Sequence, residues 1–213
     1  KVQGQVLFDE LDRFDSENRL HHIPREMGLP IHVFTDIGYS DNTSLIFAQF
    51  VGNNINILNY YENSRCSVDD YIAVINKLYG ENAIVHLPHD ASKAESTGET
   101  VRQYWEKRCR VSYDAPNFQG NLPRLSNEEY LNRVKVGFSR IHIDDNESNR
   151  TLLDHLRMYR RKWIEGLSMF SDPIHDIHSH AFDALKYLFT WEGSSGPQHN
   201  AVTARYKSGI RRG

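Results

Sequence analysis

A mixed α/β sheet flanked by helices is the fold class that the sequence predicts, on three observations. Two apolar stretches of strand character, Ser44–Val51 and Ile55–Tyr61, are separated by Gly52-Asn-Asn54, the chemistry of a tight hairpin turn. A helix is marked between Ser67 and Gly80, where Val68, Tyr71, Ile72, Ile75, Leu78 and Tyr79 recur at helical spacing. The apolar run Ala83–Leu87 follows it directly, and a crossover helix between strands implies a parallel pair.

Taken in order, residues 1–30 are polar and punctuated by Pro24 and Pro30, and read as a lead-in. Ile31–Thr35 is the first strand and runs into the turn-rich segment Asp36–Asp41; the hairpin supplies the second and third. Ser67 caps the first helix, Asp70 completes a capping box, and Gly80 follows its end. The fourth strand, 83–87, delivers Pro88-His89-Asp90. A helix is expected from Thr97 through Trp105, then a loop over 112–125, then a helix opened by the box Ser126-Asn-Glu-Glu129. Phe138–Ile143 reads as the fifth strand, Leu152 through Ile164 as one long amphipathic helix, and Ala181, Ala184, Leu185 and Leu188 mark the last helix. The expected domain spans 31–192, and the segment 193–213 reads as a flexible basic tail. Three antiparallel strands followed by helix-connected parallel ones is the plan of a ribonuclease H-like sheet.

A chain of 213 residues suits one domain with a proper core, and its 39% apolar and 25% charged residues are those of a soluble globular protein. The net charge of −3 announces no nucleic-acid partner, but a local basic patch is enough for one. No apolar run has the length of a membrane span and no signal-peptide pattern opens the chain, so no membrane partner is expected. Cys66 and Cys109, the only cysteines, argue against a disulfide framework and, lacking a Cys-x-x-Cys pair, against a structural zinc site. The chain starts at Lys1 without a methionine and reads as a piece of something larger.

Three acids fall where chemistry collects. Asp36 ends the first strand, Asp90 follows the fourth, and Asp183 opens the last helix. Sites in open α/β sheets gather at the carboxyl ends of strands, so adjacent parallel first and fourth strands would bring Asp36 and Asp90 side by side. Clustered carboxylates repel unless cations neutralise them, and oxygen-only ligands suit Mg²⁺ or Mn²⁺. Two such ions, about 3.5–4 Å apart, would stabilise the attacking and leaving oxygens of a phosphodiester displacement. The plainer reading is that each aspartate caps a turn or helix. Glu62, ending the third strand, is an extra ligand, a supporting group or a solvated glutamate; Asp41 and Asp176 read as turn chemistry. His175-Asp-Ile-His-Ser-His180 resembles a metal-binding tract, and His89-Asp90 resembles the ligand pair of helical phosphohydrolases, which the β-rich first half contradicts. His180 is expected to line the site, and His89 and His178 to be structural.

Val33-Phe-Thr-Asp36-Ile-Gly-Tyr-Ser-Asp41, Pro88-His89-Asp90-Ala91 and Ser179-His180-Ala-Phe-Asp183-Ala-Leu-Lys186-Tyr187 together resemble the three nuclease motifs of tailed-phage terminase large subunits, in family order over roughly residues 31–190. The resemblance implies a ribonuclease H-like fold and a two-metal endonuclease (two Mg²⁺ or Mn²⁺ ions on Asp36, Asp90 and Asp183) that cuts concatemeric viral double-stranded DNA during packaging. It further implies a host-cytoplasmic setting, an N-terminal packaging ATPase in the full-length protein, and the terminase small subunit and portal protein as partners. No Gly-x-x-x-x-Gly-Lys-Ser/Thr loop is present, so ATP hydrolysis is not expected of this chain. Lys186 stands where the family usually has arginine, which keeps the charge and loses bidentate phosphate contact. Lys93, Arg102 and Lys186 are the candidate DNA contacts, with a solvated helix face as the alternative reading for most of the basic residues, Lys93 and Arg102 included. Another ribonuclease H-like nuclease or resolvase, or a non-catalytic DNA- or portal-binding module, are the competing readings.

Overall fold

The computed structural model describes residues 3–38, 42–92, 98–112 and 122–195. Among them lie six strands in one mixed sheet, a two-stranded hairpin and six α-helices. The three strands expected at the start are β2 (Ile31–Asp36), β3 (Thr43–Val51) and β4 (Asn54–Asn63), antiparallel in sequence. Gly52 takes φ +62 in the β3–β4 turn, a conformation that glycine adopts without a Cβ penalty. Helix α2 (Val68–Leu78) carries the expected capping box from Ser67 and Asp70, and buries Tyr71, Ile72 and Ile75. It returns the chain to β5 (Ala83–His86), which pairs parallel with β2.

The segment expected as a lead-in supplies α1 (Phe8–Ser16), which buries Leu11 and Phe14, and β1 (Leu20–His21). Strand β1 pairs parallel with β6 (Ile141–Asp144), and β6 in turn pairs parallel with β4. The sheet order is β1-β6-β4-β3-β2-β5, and β3 alone runs opposite to the rest. The pairing of β3 with β4 shifts register between Phe47 and Ala48, leaving Leu58 without a partner residue.

Alternation along the strands divides the core between two faces. Phe34, Ile46, Ile57 and Tyr60 join the cluster under α1, α4 (Asn127–Gly137), α5 (Glu147–Met158) and α6 (Ser179–Ser195). Val33, Leu45, Phe47 and Leu58 join the cluster with α2 and Trp105 of α3 (Val101–Glu106). The expected stripe of α6, Ala181, Ala184, Leu185 and Leu188, is wholly buried. Each buried leucine contributes about 1.5–3 kcal/mol relative to exposure.

Three expected boundaries are corrected. Helix α3 is capped by Thr100 with Gln103 in a capping box, not started at Thr97, which lies outside the described residues. Phe138–Arg140 forms a 3-10 turn before the strand. Helix α5 stops at Met158, and Arg161–Ile164 is instead β7, paired with β8 (Met169–Pro173). Backbone bonds explain this stop: Val6 N–H donates to the Tyr159 carbonyl (3.0 Å) and Arg161 N–H to that of Gly4 (2.8 Å), so the chain there is extended against residues 4–6. Trp163 is 40% exposed and lies outside the buried stripe. Helical and extended readings of a few spaced aromatics are not separable by periodicity alone.

Gly137 of α4 lies so close to the Phe189 ring of α6 that an added Cβ would overlap it. Gly137→Ala should therefore destabilise the protein by about 1–3 kcal/mol despite alanine's better helix propensity, measured by chemical denaturation.

Candidate active site

With β3 reversed between them, β2 and β4 end at the same edge of the sheet. The register pairs Asp36 with Ser44 and Ser44 with Glu62, so three polar residues form one row across three strands. The row lies on the face of Phe34, Ile46 and Tyr60, which is the face covered by α5 and α6. Strand β5 ends beside β2, tied there by Thr35 Oγ1 donating to the His86 carbonyl (3.0 Å). Asp90 then sits inside the turn closed by Ala91 N–H to the Pro88 carbonyl (3.2 Å).

Helix α6 is launched by Asp176, whose carboxylate accepts from His178 N–H (2.9 Å) and whose carbonyl accepts from Ser179 N–H (3.0 Å). Asp176 is employed in that turn. The launch brings His180 down on the row, with Nδ1 3.2 Å from Asp36 Oδ2. Asp183 follows one turn into the helix and is ion-paired with Lys186. Burial pushes the Asp183 carboxyl above its ordinary range; Lys186 pulls it back and Asp36 adds to the rise. Lys186 Nζ is itself held over the rings of Tyr130 (4.9 Å) and Tyr187 (5.2 Å). The Tyr187 phenol is pushed up by burial and by the charges of Asp36, Asp183 and Asp90, so all three acids lie within electrostatic reach of one hydroxyl. A cleft of about 240 Å³ opens beside Asp183, lined by Lys186, His175, Ser179, Asn127 and Tyr130 among others.

Glu62 is tightly held. Tyr60 Oη donates to Oε2 (2.7 Å) while also 3.0 Å from Ser44 Oγ, and His155 Nε2 lies 2.7 Å from Oε1. A carboxylate only accepts, so Nε2 of His155 carries a proton, and its Nδ1 lies 2.9 Å from His178 Nδ1. Burial works against the Glu62 charge, yet the bonds from His155 and Tyr60 outweigh it and hold the carboxyl below its usual range.

The structure thus joins Asp36, His180, Asp183 and Lys186 into one neighbourhood with Glu62 in the same row. Among the described residues, no group of three or more His, Cys, Asp or Glu side chains stands close enough to hold an ion as arranged. Arg102 is buried, its guanidinium bound to Glu106 (2.5 Å) and the Ser112 carbonyl (3.0 Å), which is a structural employment. Lys93, Asp41 and the tail from 196 lie outside the described residues. Sequence reading passed over His155 and took His178 as structural alone. His155 sits at helical spacing beside the buried Leu152 and Leu156, the only trace it left.

No protein-family model and no curated protein matches the chain. Solved structures do. The nuclease domain of the P22 large terminase matches with a TM-score of 0.61 at 14% identity, covering 84% of this chain and 90% of that one. The large terminase nuclease of thermophilic phage G20c, with bound cobalt or magnesium, matches at 0.54 and 16% identity over 88% and 98%. The large terminase of another thermophilic bacteriophage, in complex with ADP, matches at 0.59 and 14% identity over 87% of this chain, which spans 44% of its length. At such identities the likeness establishes the fold: a six-stranded mixed sheet flanked by helices, the ribonuclease H-like architecture of these nuclease domains. Among the described residues, no helix is long and apolar enough to cross a membrane.

Removing one partner of a largely buried pair leaves the other charge uncompensated. Lys186→Met should lower stability in metal-free buffer by about 1–3 kcal/mol, and Lys186→Arg by clearly less, read from urea unfolding in EDTA.

Proposed function

We propose that this chain is the nuclease domain of a phage terminase large subunit, a metal-dependent endonuclease acting on concatemeric viral double-stranded DNA during genome packaging. The observation that carries the reading is the contact of Asp36, at the end of a central strand, with His180, three residues before Asp183 on the helix packed over it, inside the fold that terminase nuclease domains share. Asp36, Asp90 and Asp183 would hold two divalent ions, Mg²⁺ or Mn²⁺. The donor chemistry fits: the groups are hard oxygens, and the Asp183 charge is disfavoured by burial and by Asp36, an imbalance that cations relieve. Such ions, when bound, activate water and offset charge on the departing 3′ oxygen.

The chain's own residues supply the positioning. His180 fixes the orientation of Asp36 through Nδ1, and Lys186 neutralises Asp183 by their ion pair. As a compact point charge beside the cleft, Lys186 would also meet the DNA phosphate that brings the scissile bond to the acids. Glu62, with both oxygens engaged, holds the row rigid as a supporting group. DNA, the packaging ATPase, the small subunit and the portal are the partners that go with this reading, in the host cytoplasm.

Plasmid cleavage decides it. Cutting should require Mn²⁺ or Mg²⁺, stop in EDTA, and fall at least about 100-fold in Asp36→Ala and Asp183→Ala whose circular dichroism matches the parent. Equal cutting by the substituted proteins, or a folded parent that binds DNA and never cuts, would sink the nuclease assignment and favour a binding module.

A further inference from the structure

Strand β1 is two residues long and forms the free edge of the sheet, joined to β6 by the pairs Leu20–Ile143 and His21–Asp144. At that edge His21 Nε2 lies 3.2 Å from Nδ1 of His142, across 121 residues of sequence. His21 Nδ1 lies 3.1 Å from the carbonyl of His22. A carbonyl only accepts, so Nδ1 carries a proton, and Nε2 is the nitrogen left to offer a lone pair, toward His142. An imidazole whose other nitrogen donates to a backbone carbonyl is the usual state of a metal-ligating histidine, because that bond fixes both tautomer and ring orientation. The second ring faces that nitrogen with its own Nδ1, 3.2 Å away.

The spacing agrees with coordination. Two nitrogens at zinc-bond length from one tetrahedral ion are separated by about 3.3 Å. We propose that His21 and His142 form a binding site for a borderline divalent transition ion, Zn²⁺ foremost, which clips β1 to β6. Among the described residues no third His, Cys, Asp or Glu completes the set, so water fills the remaining positions. The nitrogen donors exclude Mg²⁺, which demands oxygen ligands, and so separate this site from the carboxylates at Asp36 and Asp183. The ion closes a long loop and holds the N-terminal segment, with α1, on the sheet; clips that close long loops gain the most in principle. The proposal stands independently of the nuclease reading.

Zn²⁺ titration calorimetry and thermal unfolding test it, on the parent, His21→Gln and His142→Gln, with about 10-fold excess Mg²⁺ present to occupy oxygen sites. Every other histidine pair is retained in both variants, so the difference isolates this site. The parent should bind one more equivalent of Zn²⁺ than either variant and gain more in melting temperature. Co²⁺ should give a visible d–d spectrum that both substitutions reduce. Equal stoichiometry, affinity and thermal gain across the three proteins would overturn the site, as would a loss in one variant only. His21 is exposed, so His21→Gln alone decides the matter if His142→Gln fails to fold.

Discussion

The reversal of β3 is the constraint on which the rest of the molecule hangs. It pairs antiparallel with a strand on each side, so β2 and β4 run the same way and end at one edge, with β5 ending beside β2. Polar residues at those ends then need no long loops to meet. Backbone hydrogen bonds of the ladder hold Asp36, Ser44 and Glu62 in line, while α5 and α6 are pressed on the same face by the burial of Leu152, Leu156, Leu185 and Leu188. Apolar packing thereby sets the approach of His155, His180 and Asp183 to the row, and the polar contacts refine it.

Electrostatics in this neighbourhood are arranged as two differently treated acids. Glu62 receives hydrogen bonds on both oxygens and is comfortable as an anion. Asp183 is buried beside Asp36 with one lysine to offset it, and its charge is under pressure. An acid already satisfied gains little from a cation; an acid that is not gains much. That contrast is the physical ground for the proposed division, with Glu62 as a supporting group and Asp183 as an acid that would gain from a cation.

The sheet was largely legible because its signals are local. The Gly52-Asn-Asn54 turn, the Ser67–Asp70 and Ser126–Glu129 boxes and the buried runs at Ile31 and Ala83 each declare themselves within a few residues. Asp36, Asp183 and His180 were singled out by the short segments they sit in, and the structure places His180 3.2 Å from Asp36. What stayed hidden depends on partners far away in sequence: β1 is a strand only because β6 offers it an edge, and β7 leaves the helical pattern because residues 4–6 pair with Tyr159–Arg161. His155 became visible once α5 was laid over Glu62, and Arg102, which composition offered to DNA, was claimed by Glu106 and Ser112.

One irregularity has reach beyond its size. With Leu58 left over in the β3–β4 pairing, Leu58 and Asn59 (the latter opposite Phe47) fall on the same side, and every later residue of β4 changes side relative to an uninterrupted ladder. Unbroken pairing would set Glu62 opposite Thr43 and turn it toward α2, and bring Tyr61 into the row instead. The address of the carboxylate is thus a matter of odd and even, carried by a single supernumerary residue buried four positions upstream. The polar row at the sheet's edge can accordingly be broken by chain length alone, with every side chain of it retained and the hydrophobic composition of the strand almost unchanged.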